Sequence, residues 1–241
     1  MKYGIIADVH SNLAALERVL YRMGEVDEVW CLGDIVGYGP EPNECLEIIS
    51  NLGGRVIAGN HDLGAIGEIS LDLFNVYAAE VCRWTGEVLD DEGEDYIRSL
   101  SRNGLRLENS LLVHGSPRDP IWEYVLTLHQ AAEIFRSTVE RFIFVGHSHL
   151  PFVFRWRVES AEIAPLAEGK LSLEEDARFI INPGSVGQPR DGDPRASFMV
   201  FEPESGELEY IRVDYPVSVT QAKMSEAGLP QYLMERLSFG E

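Results

Sequence analysis

Five of the chain's six histidines stand in short clusters with aspartate, asparagine or glycine: Asp8-Val9-His10, Asn60-His61-Asp62, His114-Gly115 and His147-Ser148-His149, with Gly33-Asp34 as a histidine-free companion. Each cluster directly follows an apolar run that reads as a buried strand. Imidazole nitrogen suits borderline transition metals, and carboxylate or amide oxygen suits harder ones, so this mixture gathered at strand ends is a ligand set for two neighbouring divalent cations. One cluster alone is a weak signal, because a histidine at a strand end is more often a hydrogen-bonded structural residue. Together they are specific: a purely structural reading needs all these strand ends to finish in ligand-type residues by coincidence. The remaining histidine, His129, lies in the polar helix start Leu128-His129-Gln130 and is expected to be solvated.

The elements that must position these residues alternate along the first third of the chain. Tyr3 to Ala7 reads as a strand, and Leu13, Leu16, Leu20 and Met23 recur at helical spacing behind the cap Asn12. Glu28 to Leu32 repeats the strand, Glu44 to Leu52 the helix, and Arg55 to Ala58 gives a third strand, so parallel strands joined by helices are expected. Leu73 to Val88 marks a longer, core-forming helix, followed by a short helical stretch around Tyr96 to Leu100. Beyond Arg106 the pattern is strand after strand: Ser110 to Val113, Phe142 to Val145, Phe152 to Arg157, Arg178 to Ile181, Ala196 to Phe201 and Glu207 to Val213. Only Ala131 to Thr138 between them looks helical. Phe152, Phe154 and Trp156 alternate with Val153, Arg155 and Arg157, which predicts one face in the core and one in solvent. Val217 to Leu237 is a helix broken at Gly228-Leu229-Pro230.

With 241 residues, 45% of them hydrophobic, and no Gly/Ser/Pro linker, a single domain over 1–241 is expected. No apolar run approaches the roughly 18 residues that would cross a bilayer, and the first residues enter a strand rather than a signal-peptide pattern. A cytoplasmic protein with no membrane partner is the expectation. Cys31, Cys45 and Cys82 lack metal-type spacing and read as small buried hydrophobes in a reducing compartment. The net charge of -20 opposes a phosphate backbone, so stable binding of duplex nucleic acid is not expected. A compact anion is still admitted, because two divalent cations beside Asp8 and Asp34 leave a local charge of about +2.

The ordered motifs Asp8-Val9-His10-Ser11-Asn12, Gly33-Asp34-Ile35-Val36, Gly59-Asn60-His61-Asp62, His114-Gly115 and Gly146-His147-Ser148-His149 resemble those of the calcineurin-like metallophosphoesterases. Asn182-Pro183-Gly184-Ser185 resembles a turn common in small prokaryotic members. The resemblance implies an α/β fold, a four-layer αββα sandwich of two mixed β-sheets flanked by helices, with the site at the strand ends. It implies that Asp8, His10, Asp34 and His149 hold one metal and that Asp34, Asn60, His114 and His147 hold the other, with Asp34 bridging. The ions would be two divalent metals drawn from Mn2+, Fe, Zn2+, Ni2+ or Co2+. A hydroxide between them would attack phosphorus in line with the leaving oxygen, and both metals would neutralise the equatorial oxygens. His61 lies outside both ligand sets and is placed beside the substrate, where it can protonate the departing alkoxide or stabilise its charge.

The second motif departs from the serine/threonine phosphatase pattern Gly-Asp-x-Val-Asp-Arg-Gly, since Gly37 and Tyr38 replace the acid that orients the histidine and the arginine that grips phosphate. A phosphate clamp must come from elsewhere, with Arg118, Arg190 and Arg195 as candidates, and Tyr38 reads as a turn residue packed on the surface. The expected function is hydrolysis of a small phosphodiester or phosphomonoester, with nucleotides among the candidate substrates. A phosphoprotein phosphatase and a non-catalytic interaction scaffold on the same fold are the alternatives, and the oligomeric state stays open.

Overall fold

The computed structural model describes residues 1–241. The first sheet has the order β3-β2-β1-β11-β12-β9, with β1 (Tyr3–Ile6), β2 (Glu28–Cys31), β3 (Arg55–Val56), β9 (Gly169–Ser172), β11 (Ala196–Glu202) and β12 (Glu207–Val213). Here β1, β2 and β3 run parallel, and the remaining pairings are antiparallel. The second sheet has the order β4-β5-β6-β10-β7-β8, with β4 (Leu105–Arg106), β5 (Ser110–Leu112), β6 (Phe142–Phe144), β7 (Pro151–Arg157), β8 (Ser160–Ala164) and β10 (Arg178–Pro183). Its parallel centre is β5-β6-β10.

Side-chain alternation along these strands builds four layers. Ile5 of β1 and Ala7 just beyond it meet Trp30, Phe144, Phe179 and Phe201 in a core shared by both sheets. Ile6 points the other way, with Cys31 and Phe198, toward α1 (Leu13–Met23) and α2 (Pro42–Asn51). A strand buried on both faces has to be apolar throughout, which is why the run before Asp8 shows no polar interruption. Asn12 caps α1 by accepting from the Ala15 N–H at 3.2 Å, and Ala15, Leu16, Val19 and Met23 form the buried stripe of that helix. On the far side of the second sheet, α6 (Leu128–Ser137) packs Ala131, Ile134 and Phe135 against Ile143, Phe154 and Trp156. The expected four-layer αββα arrangement of two mixed sheets is the one observed.

Several element expectations are corrected. The helix expected from Leu73 starts only at Val76, as α4 (Val76–Val88), after a 3-10 turn over Leu71–Leu73. Leu73, Val76 and Tyr77 are exposed rather than core-forming. The stretch around Tyr96 is the end of α5 (Asp91–Ser99), which begins at a clear cap, Asp90, whose side chain accepts from the Gly93 N–H. β7 keeps the expected alternation in part: Phe154 and Trp156 pack under α6 and Arg155 and Arg157 on the other face stay partly exposed, but Val153 on that face enters the inter-sheet core. The first sheet covers that face only at Val153. The strands β8 and β9 were not expected, because they are short and mostly exposed or half-buried and carry little apolar pattern. The C-terminal helix divides at the expected break into α7 (Val217–Glu226) and α8 (Gln231–Arg236). No helix is long and apolar enough to cross a membrane.

Candidate metal centre

The clustered residues converge where the parallel strands of both sheets end. Asp8 and His10 follow β1, Asp34 follows β2, Asn60 opens α3 (Asn60–Ala65) after β3, His114 follows β5, and His147 and His149 follow β6. All seven are buried. Five of them, Asp8, His10, Asp34, His147 and His149, have φ between 48° and 64°, a left-handed conformation that non-glycine residues rarely adopt. The loops that carry them are tied to one another: Asp8 N–H donates to the Gly33 carbonyl at 3.0 Å, His10 N–H to the Asp34 carbonyl at 3.0 Å, and Gly146 N–H to the His114 carbonyl at 2.9 Å. The Asn182-Pro183-Gly184-Ser185 turn supports the same loops, with the Asn182 amide donating to the Gly146 carbonyl and the Ser185 hydroxyl to the Asp8 carbonyl.

Backbone carbonyls set the tautomer of each histidine. Nδ1–H of His10 donates to the Val36 carbonyl at 3.1 Å, that of His114 to Leu32 at 2.8 Å and that of His149 to Gln188 at 2.6 Å, so all three turn Nε2 into the cluster. In His147 the roles reverse, because Nε2–H donates to the Trp122 carbonyl at 3.2 Å and leaves Nδ1 free. Nε2 of His10 and Nε2 of His149 stand 3.1 Å apart. With both Nδ1 atoms protonated, that approach sets two lone pairs facing each other, which only a shared cation makes favourable. Burial pushes both imidazoles well below their ordinary pKa, against the Asp34 charge at His10 and together with the Arg190 charge at His149, so both are neutral at pH 7.

The carboxylates show the same unmet demand. Asp34 Oδ1 accepts from the His61 N–H at 2.8 Å, whereas its Oδ2 is buried without a hydrogen-bond partner, 3.7 Å from His10 Nε2 and 3.4 Å from His114 Nε2. Asp8 Oδ1 accepts from the His147 N–H at 3.1 Å and its Oδ2 is likewise orphaned. Buried polar atoms without partners are rare, and two on neighbouring carboxylates fit a cation site. The ligand atoms fall into two groups within 4.8 Å of one another, Asp8-His10-Asp34-His149 and Asp34-His114-His147, with Asp34 common to both. Asn60 Oδ1, 3.1 Å from His114 Nε2, adds a neutral oxygen to the second group. Burial pushes the Asp8 carboxyl up to about 8. For Asp34 burial acts upward too, but the adjoining His114 and His61 outweigh it and hold the group below the usual carboxylate range. Burial also presses on His114, but the Asp34 charge outweighs it and raises the imidazole to about 9.

His61 lies beside the cluster, its ring 4.8 Å from that of His10 and 4.4 Å from that of Tyr38. Its Nδ1 is 3.5 Å from Cys82 Sγ, and burial keeps that thiol protonated. Gly37, with φ +90°, stands at the position of the phosphatase acid; a Cβ there would lie 2.5 Å from His61 Nδ1. The imidazole therefore fills the space that an acid would need. Tyr38 is buried rather than on the surface, edge-on to His10 at 4.7 Å. Sequence reasoning missed Asp62, whose two oxygens accept from Val36 N–H at 3.0 Å and Gly59 N–H at 2.9 Å and so clamp two of the ligand loops together. Its place beside His61 in Asn60-His61-Asp62 was the available signal.

The three candidate arginines separate. Arg118 is ion-paired with Glu123 and Glu133, and Arg195 with Asp193 and Glu168. Arg190 has no carboxylate partner; it donates to Gln188 Oε1 at 2.8 Å and its guanidinium lies 5.6 Å from the ring centroid of Tyr38, the residue at the lost arginine position. Its charge acts on Asp8, His10, His61 and His149 alike. His129 is exposed, as expected.

Residues 1–206 match the calcineurin-like phosphoesterase superfamily domain. The crystal structure of a metallophosphoesterase from Sphaerobacter thermophilus superposes with a TM-score of 0.90 at 45% identity, covering 100% of this chain and 99% of that one. An uncharacterised protein of Methanocaldococcus jannaschii is 40% identical over 242 residues, 98% of this chain and 97% of its own length. A symmetrical bis(5'-nucleosyl)-tetraphosphatase of Shewanella oneidensis is 35% identical over 68 residues, which is 26% of this chain and 25% of that enzyme.

Proposed function

The chain belongs to the calcineurin-like phosphoesterase superfamily, and we propose that it is a two-metal hydrolase of small phosphate esters, with nucleotides the favoured substrates and phosphodiesters or phosphomonoesters both within its chemistry. The observation that carries this reading is the orphaned Asp34 Oδ2, buried between His10 Nε2 and His114 Nε2 and shared by two ligand groups. Asp8, His10, Asp34 and His149 would hold one divalent ion, and Asp34, Asn60, His114 and His147 the other. Bound there, the ions supply Lewis acidity: they make water nucleophilic near neutral pH and offset phosphate charge.

The chain's own residues do the rest. The carbonyls of Val36, Leu32, Gln188 and Trp122 fix which nitrogen of each imidazole turns into the cluster. Arg190, free of carboxylates and packed over Tyr38, is the candidate arginine left to meet phosphate oxygens of the substrate. Burial lowers His61 to about 4, so the resting imidazole is neutral. A Cys82 thiol donating to His61 Nδ1, 3.5 Å away, would leave the ring proton on Nε2. From there His61 donates a hydrogen bond to the leaving oxygen, and the approaching phosphate charge favours its full protonation. The short likeness to the nucleosyl-tetraphosphatase supports a nucleotide substrate. A phosphoprotein phosphatase is the poorer reading, because Gly37 and Tyr38 stand where those enzymes carry their acid and arginine.

The test is elemental analysis of protein purified without chelator, coupled to a screen of nucleotides, model diesters, sugar phosphates and phosphopeptides. Two ions per chain and chelator-sensitive hydrolysis of the small esters are expected. Retention of less than one ion, or a clear preference for phosphopeptides, would overturn the reading.

A further inference from the structure

Beside the metal centre lies a cavity of about 420 Å³ whose walls include Tyr38, Tyr77, Tyr124, Tyr232, Arg190 and Arg236. It adjoins the ligand cluster through two of its tyrosines: Tyr38 packs on His10 and His61, and Tyr124 stacks on His147 with centroids 4.0 Å apart. The larger cavity around Lys2, Leu20 and Met23, about 650 Å³, contains none of the cluster residues.

Two features of the smaller cavity are unusual for so acidic a chain. Neither guanidinium is ion-paired with an aspartate or glutamate side chain. Arg190 Nε is buried without a partner, and the hydrogen bond of Arg236 runs from its Nε to the Glu241 carbonyl. Burial first, and the facing Arg190 charge next, press Arg236 below its ordinary pKa, and the nearby Glu241 offsets this only in part. The second feature is aromatic surface left open. Tyr77, Tyr124 and Tyr232 are 40%, 43% and 49% exposed, and Tyr77 and Tyr232 already stack on each other at 5.2 Å.

We propose that this cavity is the leaving-group subsite and that it selects nucleotides carrying a second phosphate, with Arg190 and Arg236 gripping the distal phosphate and the tyrosines stacking on the base. The inference rests on the phosphoesterase reading for the position of the scissile phosphate, but not for the binding itself. Guanidinium groups without carboxylates are matched to phosphate oxygens, and exposed tyrosine rings present faces for a planar base. The volume lies within the roughly 300–1,000 Å³ typical of small-molecule sites. A sugar phosphate would leave the rings uncovered, and a phosphorylated peptide would bring backbone for which the cavity shows no strand edge.

The test is calorimetry on the full chain with adenosine diphosphate, pyrophosphate and ribose 5-phosphate, both metal-loaded and after chelation, so that binding is read without turnover. Adenosine diphosphate should bind the chelated protein about tenfold or more tightly than ribose 5-phosphate. Arg190→Met and Arg236→Met should each weaken it by roughly 10- to 100-fold, the range for losing a charge-assisted hydrogen bond. Arg195→Met, which removes an ion-paired arginine outside the cavity, should change affinity less than about twofold. Equal affinity for the diphosphate and ribose 5-phosphate, or an unaltered Arg236→Met, would overturn the proposal. Hydrolysis of a model diester without nucleotide preference would defeat the subsite alone. Tight, arginine-dependent nucleotide binding with no hydrolysis of any ester would defeat the enzymatic reading and support the subsite.

Discussion

Asp34→Asn removes one charge while nearly preserving shape, and its consequences follow from the two atoms that face Asp34 Oδ2, His10 Nε2 and His114 Nε2. In the metal-free protein His114 is raised from 6.5 to about 9, with the Asp34 charge outweighing burial. That interval corresponds to on the order of 3 kcal/mol of preference for the charged imidazole. A raised histidine stabilises fully below about pH 6.5, and its contribution is lost as pH rises through about 9. Asp34, held low, stabilises above the ordinary aspartate range and loses that contribution as pH falls below it. The pair therefore supports the metal-free fold most between about pH 4 and 6.5. The variant should be destabilised most near pH 6, by on the order of 3 kcal/mol or roughly 6–12 °C in Tm, and much less near pH 9.5. Loss of Asp34 also relieves Asp8, which its charge helps to raise, and this acts in the same direction. Thermal unfolding of chelated wild type and variant at the two pH values reads the difference, with His114 followed by NMR. Elemental analysis of the loaded variant adds an independent arm, because both sites should weaken together. A Tm deficit independent of pH, with two ions still bound at wild-type affinity, would refute the shared-carboxylate model.

His61→Ala should lower kcat roughly 10²- to 10⁴-fold on an alkyl phosphate ester and less on a nitrophenyl ester, with bound metal near wild type; an equal loss on both would point to charge stabilisation instead. Gly37→Ala should cost roughly 1–3 kcal/mol through its left-handed backbone and displace His61, visible as a fall in kcat and Tm at unchanged metal content. Metal binding at pH 7 should release protons, roughly one to two, since Asp8 near 8 and His114 near 9 must both deprotonate to ligate. Affinity should accordingly rise with pH, and calorimetry in buffers of differing ionisation heat would contradict this if no protons appeared.

Most of the clustered residues were legible because they combine a rare side-chain type with a buried apolar strand in front, as in Tyr3–Ile6 before Asp8; Asn60, behind the two-residue and largely unburied Arg55–Val56, is the exception. The four-layer arrangement was legible through the family resemblance, and the periodicity placed α1 and the break between α7 and α8. What could not be read depends on contacts across the chain. The carbonyls of Leu32, Val36, Trp122 and Gln188 decide which imidazole nitrogen is free, and a backbone carbonyl carries no sequence identity. Cys82 comes to His61, and Arg190 to Tyr38, from separate elements. Tyr38 looked like a surface turn because its own neighbours are glycines and proline; its burial comes from α4, α7 and α8 closing over it.

The cluster has an energetic logic that joins its backbone to its chemistry. A left-handed non-glycine residue costs roughly 1–2 kcal/mol, and five of the seven proposed ligands pay it. Facing lone pairs on His10 and His149, and the orphaned oxygen of Asp8, add further cost in the metal-free state. None of this strain lies at random: it falls on the residues whose side chains must converge, and it is held by bonds between loops from different strands, such as His10 N–H to the Asp34 carbonyl and His147 N–H to Asp8 Oδ1. A divalent cation bound there would relieve the lone-pair and carboxylate costs without altering the backbone that imposes them. The ligands are thus positioned by folding rather than by metal binding, and the affinity of the site draws on energy that the fold has already stored.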